Sequence, residues 1–330
     1  MMRLVAATAA LLLTICSSPS LAYLKLGAVV NGRIIDATWH QQPIGYFITN
    51  RDGGGVTAND LRGAVQRATA TWSAVDSANV QFSFQGMTTA PAEGTDGRNV
   101  IGFIDRPDLD RVIGATSFMV DSVTGSIYEA DIFFNSRFVF SVAPEGQPGR
   151  VDLESVALHE LGHLLGLGHS ALGETEGTAG GNRRVIGSGA VMFPIALSAG
   201  SIADRVLEPD DRAAISDLYP RGDFDSTASS ISGRITKNGS GVFGAHIAAL
   251  NLETGDIIGG FTLNPEGDYV IGALPPGPYV VRVEPIDDAD PESFFPGIVD
   301  VNYGVTYSPR VVIAPAASNA EGVDVQVRPR

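Results

Sequence analysis

Between Thr57 and Val75 the apolar positions Leu61, Ala64, Val65, Ala68, Trp72 and Val75 return at helical spacing. That pattern predicts an amphipathic helix whose stripe packs on a sheet. Ahead of it, "IGYFIT" (44–49) reads as a strand, and "RDGGG" breaks the chain after it. "VQFSFQ" (80–85) alternates and "NVIGFI" (99–104) is apolar, so both predict strands. "IGATSFMVD" (113–121) and "SIYEADIFFN" (126–135) flank "SVTG" and predict a hairpin. Asp152 stands as a cap before a second apolar-periodic run with Leu153, Val156, Leu161 and Leu164, and Gly166 follows where that helix would end. "EPDDRAAISDLYP" (208–220) predicts a third helix, with Pro209 near its first turn and Ile215 and Leu218 facing inward. The expected class is α+β: a small sheet with about three helices.

The pattern changes after Pro220. "RGDFDSTASS" and its surroundings (221–230) are small, polar and without periodicity, and read as a linker. From 231 to 330 short β-rich runs, among them "HIAALNL", "DYVIGAL" and "YVVRVEP", alternate with turns such as "NGSG", "NPEGD" and "PPGP". Strands at this spacing predict an all-β sandwich. The first 22 residues combine Arg3, an apolar run and the small residues "SLA", which predicts a signal peptide cleaved after Ala22. The run is too short for a comfortable membrane span, and no later stretch is long enough for one. The expected product is secreted or periplasmic. The lone cysteine, Cys16, falls in the removed part, so no disulfide is expected from 23 to 330.

A net charge of −15 argues against a nucleic-acid partner, which would select a basic face. The acidity serves solubility, or oxygen-ligated cations such as calcium. A monomer is the default.

The chemistry concentrates in "VDLESVALHELGHLLGLGHS" (151–170), where three of the five histidines fall within 11 residues. His159 and His163, four apart on a helix, project from one face and suit one zinc ion. Glu160 is placed to reach a water at that metal without ligating it. Gly166 can take a left-handed conformation and turn the chain so that His169 comes back as a third ligand. Three protein nitrogens leave a fourth position open, the layout of a catalytic zinc site.

"HELGHLLGLGH" resembles the zinc signature of the metzincin metalloendopeptidases, and the flank "LESVALHELGHLLGLGHS" resembles their matrixin branch. "AVMFP" resembles the methionine turn that follows the third histidine, which puts Met192 in that role. The helix at 208–220 and the hairpin at 113–135 are similar to matrixin elements. The resemblance covers about Ile44 to Pro220, within a domain read as 23–220. It implies a small twisted mixed sheet with the three helices. It also implies an edge strand near Gly114 to Val120 that pairs with extended substrate. The segment 231–330 is similar to transthyretin-like, carboxypeptidase-regulatory β-sandwiches, which implies no activity of its own.

The sequence also departs from the animal matrixins. No cysteine remains to hold latency, and Asp36 is the residue that could cap the zinc instead. Only His40 precedes the active-site helix, so the second, structural zinc of that branch is not expected. Asp121, Glu129 and Asp131 are either calcium ligands or solvated strand carboxylates. The glycine-rich stretch 170–190 either shapes the cleft or is a mobile loop. Pro194 stands where some metzincins have a tyrosine ligand.

The reading is a zinc-dependent endopeptidase acting on protein or peptide substrates, with His159, His163 and His169 on the metal and Glu160 as general base. The alternatives are an inactive zinc-binding or adhesive surface protein whose sandwich binds a partner, and a metal hydrolase acting on something other than protein.

Overall fold

A computed structural model describes residues 25–30, 33–177, 183–286, 294–295 and 299–330. The signal-peptide expectation lies outside them.

Strands β1 (Gly27–Val30) and β2 (Arg33–Asp36) form an antiparallel pair. Then follow β3 (Ile44–Thr49), α1 (Ala58–Ser73), β4 (Phe82–Thr88), β5 (Val100–Ile104), β6 (Gly114–Val120) and β7 (Ile127–Asn135). β3 to β7 make one sheet in the order β4-β3-β5-β7-β6, with β6 antiparallel to β7 and the other pairs parallel. β6 is therefore an outer strand. Two short strands, β8 (Phe140–Ser141) and β9 (Val151–Asp152), lead into α2 (Leu153–Leu164).

The helices form where the pattern placed them, because their stripes find partners. α1 opens on a reciprocal cap between Thr57 and Asp60 and buries Leu61, Ala64, Val65, Ala68 and Trp72. The Trp72 indole N–H donates to the Leu158 carbonyl at 2.9 Å, which fixes α1 against α2. α2 opens on Asp152, whose side chain accepts from Ser155 N–H. Arg205 clamps the same carboxylate from the far side.

Within the stretch 170–190 the described residues hold two strands. β10 (Gly173–Gly177) and β11 (Arg183–Ser188) pair antiparallel, and residues 178–182 between them lie outside the described residues. α3 (Pro209–Leu218) comes next, with proline at its first position.

The region read as linker is also built. α4 (Phe224–Thr227) is a single turn, and Phe224 packs against the main core. The next strand already starts at Ser229, whose hydroxyl donates to the Pro315 carbonyl at 2.6 Å. A polar composition hid this because one phenylalanine supplies the anchor.

The remaining strands are β12 (Ser229–Lys237), β13 (Ser240–Gly241), β14 (His246–Asn251), β15 (Ile257–Phe261), β16 (Asp268–Leu274), β17 (Gly277–Glu284), β18 (Thr306–Tyr307), β19 (Val312–Ala314), β20 (Asn319–Ala320) and β21 (Val325–Val327). They make two five-stranded sheets. One runs β13-β12-β16 with β20 and β21 on β12; the other runs β15-β14-β17-β18 with β19 on β17. Ile231, Ile235 and Ile271 of the first and Ile247, Val281 and Val283 of the second are fully buried. This is the in-out alternation of a β-rich region with a shared apolar core.

The β-rich region is not separated from the rest. The main apolar cluster runs through both parts without interruption, and a second one joins Val185 and Phe193 to Phe261, Phe294 and Phe295. Among the described residues no helix is long and apolar enough to cross a membrane.

Candidate metal centre

The site is built on the end of α2. His159 and His163 share one face, with ring centroids 4.8 Å apart. Each ring is held from behind. Nδ1 of His159 donates to the Val191 carbonyl at 2.7 Å, and Nδ1 of His163 donates to the Leu167 carbonyl at 2.8 Å. A carbonyl only accepts, so both rings carry their proton on Nδ1 and turn a bare Nε2 forward.

After Leu165 the chain reverses in a Schellman turn. Leu167 N–H donates to the Gly162 carbonyl at 3.0 Å, and Gly166 N–H donates to the His163 carbonyl at 2.9 Å. Gly166 has φ +99°, and a Cβ there would run into the Ala37 carbonyl. The carbonyls left over at the helix end are also met. Leu164 accepts from the Trp39 indole at 2.8 Å and Leu165 from the Tyr219 hydroxyl at 2.7 Å.

The turn returns His169 to the other two. Its ring centroid is 4.8 Å from that of His163 and 5.5 Å from that of His159. Nε2 of His163 and Nε2 of His169 stand 3.2 Å apart. One nitrogen from each of the three rings lies within 4.8 Å of the others. Two nitrogens on one tetrahedral zinc stand about 3.3 Å apart, given Zn–N bonds of about 2.0–2.1 Å. The donor set therefore fits zinc. Burial, and after it the neighbouring imidazole of His169, lower the pKa of His159 to about 4. Burial, followed by the other two imidazoles, holds His163 well below its usual range. Both are neutral ligands near pH 7.

Glu160 points to the side of the outer strand β6. Its Oε2 accepts from the Thr116 hydroxyl at 2.8 Å. Burial raises its pKa to about 7, against the lowering effect of that hydrogen bond. Met192 lies beneath α2. It is buried, and a Cβ on Gly162 would collide with its sulfur.

Two buried aspartates of α3 hold the surrounding loops. Asp211 accepts from the backbone N–H of Val191 at 2.8 Å, Met192 at 3.1 Å and Glu208 at 2.9 Å. It thereby fixes the carbonyl that orients His159. Asp210 accepts from the Ser170 hydroxyl at 2.7 Å and from Gly259 N–H at 2.8 Å. Sequence reading missed both, because adjacent acids in a first helical turn look like solvated dipole partners. Thr116 and Gly162 gave no sequence signal: their roles are contacts across the fold.

Other candidate residues are placed elsewhere. Asp36 is paired with Lys25 at 3.1 Å, Lys25 also meets Asp217 of α3, and the Asp36 carboxylate is not among the groups gathered with the histidines. Asp121 closes the β6–β7 turn by accepting from Val123 and Thr124 N–H. Glu129 and Asp131 are buried, not solvated. They accept from backbone N–H of Asp96, Gly97 and Val100 and so secure the loop before β5. Among the described residues only the three histidines gather as a metal-holding group.

Residues 38–176 match the matrixin family. This segment is a matrixin domain. It contains all three histidines and Glu160 and ends ahead of Met192. A 78-residue stretch is 46% identical to metalloendoproteinase 5-MMP of Arabidopsis thaliana, covering 22% of this chain and 16% of the plant protein. Among solved structures, metalloproteinase-II of Bacteroides fragilis is 14% identical with a TM-score of 0.29, over 61% of this chain and 58% of that one. OgpA of Akkermansia muciniphila is 12% identical with a TM-score of 0.28, over 79% and 92%. Likenesses this slight carry no argument; the matrixin assignment rests on the sequence match.

Proposed function

We propose that the protein is an exported zinc endopeptidase that hydrolyses peptide bonds in proteins, working as a monomer. The observation that carries this reading is the convergence of three imidazole nitrogens beside a buried carboxylate on the residue next to the first of them. His159, His163 and His169 would hold the zinc. Bound there, zinc supplies Lewis-acid polarisation of the scissile carbonyl and acidifies a water.

Glu160 takes a proton from the attacking water on its carboxylate and delivers it to the nitrogen of the leaving amine. One C–O bond forms, the C–N bond breaks, and one water is consumed. Burial favours the protonated form of this carboxyl, which suits it to hold the proton between the two transfers. Thr116 keeps the carboxylate turned toward β6. Met192 forms an apolar floor that keeps α2 in place. β6 offers its unpaired edge to an extended substrate backbone, which favours flexible segments as substrates.

The test is casein cleavage by residues 23–330 beside Glu160→Ala, with zinc content measured for both. The expected result is cleavage by the parent alone, with one zinc in each. Zinc in both with no cleavage of casein or of a peptide library would overturn the protease reading. Absence of zinc from both would overturn the metal centre.

A further inference from the structure

His159 and His163 are carried on α2. His169 lies on the loop beyond the glycine turn and depends on neighbours for its position. One of those neighbours comes from the β-rich region, and a second, on α3, is bonded to it.

The first is Phe294. Its ring stands edge-on to the His169 imidazole, with centroids 6.2 Å apart and planes at 75°. Phe294 is 7% exposed and packs on Phe261 of β15 at 5.7 Å. Val185 of β11 and Phe193, the residue after Met192, join the same apolar cluster. The aromatic ring is thus set in place by both halves of the protein.

The second is the Asp210 bridge. One buried carboxylate binds the hydroxyl of Ser170, the residue after His169, and the backbone N–H of Gly259 in β15. A Cβ on Gly259 would sit 3.1 Å from Leu172 and 3.2 Å from Nε2 of His246, so β15 approaches closely there. The loop that carries His169 is gripped on two sides, once by apolar contact and once by hydrogen bonds.

We propose that Phe294 is a positioning residue for His169, which makes the β-rich region a working part of the metal centre. This rests on the reading of the three histidines as a zinc site. Groups behind a metal ligand typically change affinity by about 10- to 100-fold when removed.

The test uses residues 23–330 carrying Phe294→Ala, Phe294→Leu or Phe295→Ala. Phe295 is the control. It is fully buried and packs on Phe243 and Phe261. Zinc affinity is measured by chelator competition, the ligand field by the visible spectrum of the cobalt(II)-substituted protein, and folding by thermal midpoint. Phe294→Ala is expected to raise the zinc Kd by about 10-fold and to shift the cobalt band. Phe295→Ala is expected to lower the midpoint while leaving the Kd within about twofold of the parent. Should Phe294→Ala fail to fold, Phe294→Leu keeps much of the volume and loses the ring edge, and a weaker change in the same direction is expected. A folded Phe294 variant with the parent Kd and an unshifted cobalt band would overturn the proposal. Equal loss of affinity in Phe295→Ala would overturn it too, as a general packing effect. A parent chain that binds no zinc would overturn the metal-centre reading and this inference together.

Discussion

The Thr116 hydroxyl stands 2.8 Å from Oε2 of Glu160 and 2.9 Å from the carbonyl oxygen of the same residue. It has one proton and two acceptors on one residue. The outer strand and the helix are therefore tied together at the carboxylate assigned the proton transfer. Removing the hydroxyl while keeping the shape frees Glu160 to turn away. Thr116→Val is expected to lower kcat by about 10-fold with little change in KM and with zinc content unchanged. Thr116→Ser should restore most of the rate. Equal kcat for Thr116→Val and the parent would show that the contact has no part in turnover.

Gly166 carries the reversal that returns His169 to the helix. Its positive φ and the Ala37 carbonyl beside it both oppose a side chain. Gly166→Ala is expected to cost about 2 kcal/mol or more in stability, read from the denaturant midpoint. The purified variant should also hold less zinc than the parent, since the third ligand sits beyond the strained turn. A folded variant with full zinc content and the parent midpoint would contradict this account.

Asp211 makes stability depend on pH. Burial, and next the neighbouring carboxylate of Asp210, raise its pKa to about 7, despite three backbone N–H donors that favour the charged form. A carboxyl raised in the folded state contributes its stability in full below the unfolded pKa and loses it as pH rises through the folded value. Asp211→Asn loses acceptor capacity and is expected to be less stable than the parent. That deficit should shrink as pH rises from about 4 to about 7. Denaturant melts of both proteins across this window provide the check. A deficit that stays constant or grows would reverse the assignment.

Much of the matrixin half was legible in its pattern. The helix stripe Leu61 to Trp72, the hairpin around Asp121 and the cap at Asp152 are local, and their periodicity or turn chemistry reaches the sequence directly. The spacing of His159, His163, Gly166 and His169 is local too, which is why the metal-holding group could be named from four positions. Elsewhere composition misled. The 170–190 stretch reads either as shaping the cleft or as a mobile loop, because glycines hide strand pairing, and β10 and β11 pair there. Glu129 and Asp131 looked solvated because charge suggests water. Burial with backbone donors supplies an equivalent partner.

The sequence by itself determined which residues could gather around a metal, since a helix and one glycine turn bring them together within 11 positions. Only the tertiary structure decided how they are held. Thr116 reaches Glu160 across 44 positions, Val191 reaches His159 across 32, and Gly259 reaches Asp210 across 49. Contacts at such separations follow from packing layers against one another, and no local spacing rule encodes them. The same reason hid the approach of Phe294 to His169, which exists because two apolar surfaces close over a shared core.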